Sequence, residues 1–116
     1  MKKVGEHITL DFLGVKQDYS PKFFNKIIYK IAKKAKVEIL NVSDHVFKPQ
    51  GFTLVALLAE SHMSFHTFPE KGIISFDFFT CAKISPKVAL DILKKEIKHE
   101  RVIVKNFDRS TVSLYD

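Results

Sequence analysis

Polar side chains are concentrated in residues 60–70, which read ESHMSFHTFPE and lie between two strongly apolar stretches. The segment contains two histidines, two acids and several hydroxyl groups. An imidazole can act as a base and a hydroxyl as a nucleophile, so acid–base or nucleophilic chemistry is possible here. A hairpin connection whose polar groups bind its own backbone has a similar composition. Residue types alone leave both interpretations open.

A metal site and a reactive thiol are two further interpretations of the same region. His62, His66 and the single cysteine, Cys81, would supply three ligands of the kind that zinc binds. Two histidines four residues apart share a face on a helix, whereas the flanking sequence predicts strand and turn, so we expect no metal there. His66 could also activate the thiol, although no third residue that would orient the pair is evident.

The elements around this segment must hold its side chains in place. Apolar alternation predicts a strand over Val4–Val15, apolar runs predict interior strands over 52–60 and 73–80, and shorter strands are predicted from Val37 and over 102–105. Two helices are predicted, each opened by a Ser-Pro pair that suits an N-cap and a first helical position. The pairs are Ser20-Pro21 and Ser85-Pro86, each followed by an apolar stripe at helical spacing.

The two halves of the chain resemble each other. Residues 8–13, ITLDFL, are similar to residues 74–79, ISFDFF, and each is followed by one of the Ser-Pro helices and a further strand. This pseudo-duplication of strand–helix–strand halves predicts an α+β two-layer sandwich, with a mainly antiparallel sheet and both helices on one face. If Phe76 and Phe78 face the helices, Asp77, Phe79 and Cys81 face the open side of the sheet. Leu13 and Phe79 would make that side apolar, and such patches usually mark an interface, so we expect a homodimer.

Composition limits the class of protein. The chain has 116 residues, of which 46% are hydrophobic, and this predicts a single domain spanning 1–116. No window reaches the roughly 18 apolar residues of a membrane span, and the N-terminus lacks a signal-peptide run, so we expect a cytoplasmic protein without membrane contact. The net charge of +6 could indicate nucleic-acid binding. Its lysines follow the polar faces of the two predicted helices, which favours solvated surfaces and no nucleic-acid partner.

Considered in order, the motifs carry a specific resemblance. The strings are Glu60-Ser61-His62, then residues 66–70 (HTFPE), then residues 78–81 (FFTC), preceded by residues 5–7 (GEH) and 45–51 (HVFKPQG). Together they resemble the processing and catalytic region of prokaryotic S-adenosylmethionine decarboxylase proenzymes. The resemblance covers essentially the whole chain. Several short strings that match in order and spacing are far more specific than any one of them.

The resemblance implies that the protein cleaves itself between Glu60 and Ser61, into chains 1–60 and 61–116. Ser61 would attack the carbonyl of Glu60 and become a pyruvoyl group, so that no external cofactor is needed. His66 matches the base of processing, and Thr53 matches a position that carries an assisting hydroxyl. Cys81 matches the residue that donates a proton to the product carbon.

The resemblance also implies a substrate, S-adenosyl-L-methionine, which would be decarboxylated through a Schiff base to give the aminopropyl donor of spermidine synthesis. Phe47 would stack on the adenine and Glu70 would accept the ribose hydroxyls, both sensible uses of these groups. Ornithine or arginine is an alternative substrate, although a basic amino acid lacks adenine and would favour an acidic pocket. A basic nucleic-acid-binding module without catalysis is the second alternative.

Overall fold

A computed structural model describes residues 3–81 and 83–110. The elements in chain order are β1 (Lys3–Leu13), α1 (Pro21–Ala35), β2 (Ile39–Val46), β3 (Phe52–Leu58), β4 (Ser61–Phe68), a 3-10 turn (Pro69–Lys71), β5 (Ile73–Cys81), α2 (Lys87–Glu96) and β6 (Arg101–Ser110). Every predicted strand and helix is present. The last strand is longer than the predicted 102–105, because pairing with β1 continues through its polar residues.

The strands form one sheet in the order β2-β3-β4-β5-β1-β6, and all neighbours are antiparallel. The similar strands of the two halves, β1 and β5, lie side by side, with Leu10 opposite Phe76. From each of them the chain passes through a helix to an edge strand, β2 or β6. The predicted α+β sandwich with an antiparallel sheet is therefore confirmed.

The two Ser-Pro pairs lie at the starts of the two helices, and the first pair occupies the predicted N-cap and first helical positions. The Ser20 hydroxyl accepts a hydrogen bond from the Phe23 amide at 3.2 Å, and α1 ends at Lys36 in the left-handed conformation. Such a cap satisfies an amide that has no partner within the helix. The second helix begins one residue later than predicted, because its N-cap is Pro86 and its first residue is Lys87. The Ser85 hydroxyl accepts a hydrogen bond from the Lys87 amide at 3.3 Å. The predicted apolar stripes face the sheet. The buried residues are Phe24, Ile27, Ile28, Ile31 and Ala32 in α1 and Ala89 and Leu93 in α2.

One face of the sheet packs against the helices and forms the core. Alternate residues of the central strands are buried there, as the period of a strand requires, and they include Ile8, Leu10, Phe12, Leu54, Phe65, Phe76 and Phe78. We call the opposite side the outer face. It carries the intervening residues, among them His7, Thr53, His62, His66, Asp77, Phe79 and Cys81. Within the described residues, no helix is long and apolar enough to span a membrane.

We predict that Leu93→Ala destabilises the fold strongly, because the Leu93 side chain is fully buried between α2 and the sheet. Truncation of a buried leucine typically costs about 2–5 kcal/mol of unfolding free energy. The matched control is Leu40→Ala, since Leu40 is 55% exposed and should cost less than about 1 kcal/mol. Urea unfolding of both variants measures the difference. Equal losses would contradict this description of the core.

Candidate active site

The bond between Glu60 and Ser61 lies at the end of a tight hairpin. Leu58 and Ser61 are the last paired residues of β3 and β4, so Ala59 and Glu60 alone connect the strands. Glu60 has φ 65°, in the left-handed region, which is unfavourable for a residue with a Cβ atom. The Ala59 amide donates to the Glu38 carbonyl at 2.9 Å. The carbonyl that precedes Ser61 is therefore held in a strained and anchored turn.

The Ser61 side chain is buried at the core side of this turn. Its Oγ has no hydrogen-bond partner among the described residues. A buried hydroxyl without a partner is uncommon and calls for an explanation. Here it leaves Oγ without a competing interaction next to the Glu60 carbonyl.

His66 and Thr53 form the second part of the site. They are directly paired on β4 and β3, and His66 Nδ1 lies 2.9 Å from Thr53 Oγ1. Both side chains are partly exposed on the outer face. Two paired positions on central strands are a rigid support, so this hydrogen bond fixes the orientation of the imidazole.

A cavity of about 340 Å³ adjoins the His66–Thr53 pair. Phe47, Phe68 and Glu70 line it together with His66 and Thr53. The Phe47 ring is 46% exposed, so this phenylalanine does not belong to the core. Of the residues predicted from the sequence, the structure thus brings Thr53, His66, Phe47 and Glu70 into one place.

Gly51 shapes the loop that carries Phe47. It has φ 89°, and a Cβ atom there would lie 2.8 Å from the Thr67 carbonyl oxygen. The Gly51 carbonyl in turn accepts a hydrogen bond from the Phe47 amide at 2.8 Å. A glycine at this position lets the loop approach β4 closely enough to close one side of the cavity.

The structure keeps Ser61 and His66 apart. They are five residues apart along β4, which corresponds to about 16 Å at the usual rise per residue, and they point to opposite faces. Cys81 lies at the Ser61 end instead. His62 pairs with Phe79, so the end of β5 that holds Cys81 lies beside the hairpin turn. The site residues of one chain therefore form two groups, one at the turn and one at the cavity.

Sequence reasoning missed a third group on the outer face, in which His7 and His62 both contact Asp77. The sequence predicted that Asp77 lies on the open side of the sheet, but it did not predict contact with the histidines. A polar residue at an outward position on each of three strands is the only sign of this group in the sequence. The strand order, which puts β5 between β4 and β1, could not be predicted from the sequence.

Comparison with known proteins gives a consistent result. Residues 6–110 match the family described as S-adenosylmethionine decarboxylase. A protein of Brevibacillus brevis named S-adenosylmethionine decarboxylase proenzyme is 35% identical over 108 residues, which are 90% of this chain and 81% of that protein. A protein of the same name from Prochlorococcus marinus is 42% identical over 90 residues, 77% of this chain and 72% of that protein.

The fold has a similar counterpart among solved structures. The crystal structure of the adenosylmethionine decarboxylase from Aquifex aeolicus superposes with a TM-score of 0.84 at 28% sequence identity. The match covers 97% of this chain and 96% of that chain. The two chains therefore share one fold over the matched residues.

We predict that Glu60→Gly stabilises the hairpin, because glycine tolerates positive φ without a steric penalty. The gain should be up to about 1 kcal/mol of unfolding free energy. The background is Ser61→Ala, which removes the hydroxyl beside the turn. Glu38→Gly is the matched control, since Glu38 does not have positive φ, and it should lower stability. A loss of stability in both variants, measured by urea unfolding, would contradict the strain at Glu60.

Proposed function

The chain belongs to the S-adenosylmethionine decarboxylase family, and we propose that it becomes active by cleaving its own Glu60–Ser61 bond. The products would be a chain of residues 1–60 and a chain of residues 61–116 that starts with a pyruvoyl group derived from Ser61. The word proenzyme in the names of its relatives supports processing of this kind. The observation that carries the proposal is the Ser61 hydroxyl, which is buried beside a strained turn and has no hydrogen-bond partner in the described part of the chain.

The geometry of the turn suits the first steps. Ser61 Oγ bonds to the Glu60 carbonyl carbon while the carbon–nitrogen bond breaks, and the hydroxyl proton passes to the released nitrogen, so that an ester replaces the peptide bond. Cleavage releases the left-handed backbone of Glu60, which favours the change. A base then takes the Cα proton of residue 61 and the ester oxygen leaves with the 1–60 chain. Water replaces the nitrogen, which departs as ammonia, and the ketone remains.

The substrate follows from the family, and the cavity beside His66 supports it. S-adenosylmethionine carries an adenine, a ribose and a sulfonium cation. The exposed ring of Phe47 offers a face for stacking and for the cation, and the Glu70 carboxylate offers acceptors for ribose hydroxyls. The relatives are named for this substrate, which favours it over ornithine or arginine and favours an enzyme over a nucleic-acid-binding module.

Each remaining residue has one task in this proposal. The pyruvoyl ketone, once formed, supplies the electron-accepting carbonyl that pyridoxal phosphate supplies in other decarboxylases. His66, oriented by Thr53, removes the proton during processing. The Cys81 thiol returns a proton to the carbon that has lost carbon dioxide. Its place beside the turn, partly exposed on the outer face, suits that task.

Two copies of the chain would complete the site. About 16 Å of β4 separates Ser61 from His66, and a proton transfer needs hydrogen-bond distance. A second copy packed on the outer face can bring its own His66 and cavity to the Ser61 of the first. Exposed apolar side chains on that face support such packing, namely Val55, Leu57 and Phe107. We therefore propose a homodimer with two shared sites.

The first test is the intact mass of the denatured protein. We expect two fragments that meet between residues 60 and 61, the downstream one lighter than a serine-started peptide by the mass of one ammonia. Ser61→Ala should give one full-length chain, and Ser64→Ala, a serine on the same strand, should still be cleaved. Full-length wild-type protein after prolonged incubation would contradict self-processing.

The cleaved protein then tests the substrate. Release of carbon dioxide from S-adenosylmethionine, with none from ornithine or arginine, is the expected result. Cleavage followed by turnover of ornithine or arginine alone would retain the processing and overturn the substrate.

A mixture of two inactive chains tests whether the site is shared. One chain carries Ser61→Ala and the other carries His66→Ala, and neither should be cleaved when expressed alone. In mixed dimers the intact His66 of the first chain can serve the intact Ser61 of the second. We expect cleavage of the His66→Ala chain on co-expression, read by mass. If it stays whole while wild-type protein is cleaved, His66 acts within its own chain and the shared site is wrong.

A further inference from the structure

Three metal-ligating atoms converge on the outer face, away from the His66 cavity. His7 Nε2 lies 2.7 Å and His62 Nε2 lies 3.2 Å from the same carboxylate oxygen, Oδ2 of Asp77. One ligand atom from each residue lies within 4.8 Å of the others. In a single chain the side chains are 22%, 43% and 24% exposed for His7, His62 and Asp77, so an ion could enter from solvent before the outer faces of two chains pack together.

The support of this group is rigid. His7 on β1 and His62 on β4 both pair with Phe79 on the strand between them, and Asp77 lies two residues further along that strand. Both imidazole rings contact the Phe79 ring, with centroids 5.8 and 5.9 Å away. The Ser64 hydroxyl donates to Oδ1 of Asp77. This bond orients the carboxylate and leaves Oδ2 for the two histidines, as outer-shell bonds do at metal sites.

We propose that His7, His62 and Asp77 bind a divalent transition-metal ion of the Zn²⁺ type. Zinc lies about 2.0–2.2 Å from nitrogen and oxygen ligands, so ligand atoms in a tetrahedron are about 3.3 Å apart. The separation of 3.2 Å for His62 already fits, and that of 2.7 Å for His7 must open by about half an ångström. Each imidazole presents its Nε2 lone pair and keeps its ring proton on Nδ1. One position of the tetrahedron stays open toward the outer face.

The chemistry of the ligands selects the ion. Two imidazoles and one carboxylate suit zinc, cobalt or nickel, whereas magnesium and calcium prefer oxygen ligands. The protein has a net charge of +6, so a diffuse acidic surface does not attract cations. Affinity must come from direct coordination, which favours the transition metals over Mg²⁺ and Ca²⁺.

This site uses none of the residues assigned to self-processing or decarboxylation, so it does not rest on the proposed function. His62 does follow Ser61 directly in the chain, and cleavage could change the position of the His62 side chain. The test therefore uses both the wild-type protein and the uncleaved Ser61→Ala chain.

Titration with Co²⁺ tests the proposal, because four-coordinate cobalt absorbs visible light far more strongly than six-coordinate cobalt. We expect one saturable site per chain, displaced by Zn²⁺ and not by equal Mg²⁺ or Ca²⁺. His62→Gln and Asp77→Asn should each weaken binding by more than about 100-fold, and Ser64→Ala by about 10- to 100-fold. Circular dichroism verifies that each variant is folded.

Two controls locate the ion. His45→Gln changes an exposed histidine on the edge strand β2, and Cys81→Ala removes the nearby thiol. Both should bind Co²⁺ as the wild-type protein does. The proposal is overturned if Co²⁺ gives no saturable signal, or if the signal persists in folded His62→Gln and Asp77→Asn. It is also overturned if Cys81→Ala abolishes the signal, since the ion would then sit on sulfur.

Discussion

The helices cover only one face of the sheet, and this determines where the core and the polar groups lie. Side chains of a strand alternate between faces, so each central strand sends one apolar set into the core and the other set outward. Phe65, Phe76 and Phe78 are buried on the face that the helices cover. Polar groups buried there lose their water and need partners within the protein. His7, His62, His66, Asp77 and Cys81 lie on the outer face. Thr67 and Thr80 are buried on the core side with hydrogen-bond partners, and Ser61 is the exception, because its Oγ has none among the described residues.

That exception is where the proposed chemistry begins. Ser61 is the first residue of β4, so its hydroxyl lies on the core side. Its amide follows directly on the two-residue turn. The hydroxyl is buried with no hydrogen-bond partner within residues 3–81 and 83–110, and the preceding residue is in a left-handed conformation. Buried unsatisfied groups and strained backbone persist only where surrounding structure holds them. The paired strands β3 and β4 hold both features at one peptide bond.

Strand register places the polar groups of the outer face at two different levels of the sheet. Thr53 and His66 meet at one level of the sheet, and His7, His62 and Asp77 meet at another, toward the hairpin turn. Distances along a strand are fixed by its rise, so groups at different levels of one chain cannot meet. A second copy on the same face overcomes this limit in the proposed dimer. The same rigidity keeps three ligand atoms together at the proposed metal site.

The sequence by itself determined the elements and the nature of the chemistry. Apolar alternation and apolar runs predicted the strands, and the parity of β5 predicted the outward direction of Asp77 and Cys81. The pairs Ser20-Pro21 and Ser85-Pro86 predicted the helix starts, that of α2 to within one residue. These are local properties, encoded within a few residues. The ordered strings around Ser61, His66 and Cys81 carried the family resemblance, because together they contain most of the residues expected in the site.

Only the tertiary structure decided which of these residues meet. It separated Ser61 from His66, gathered Phe47 and Glu70 at the His66 cavity, and joined His7 to Asp77 across 70 positions of the chain. Such contacts follow from strand order and register, in which a shift of one residue turns every side chain to the other face. Pairing of distant strands is set by packing of the whole sheet against its helices, and no short stretch of sequence encodes it.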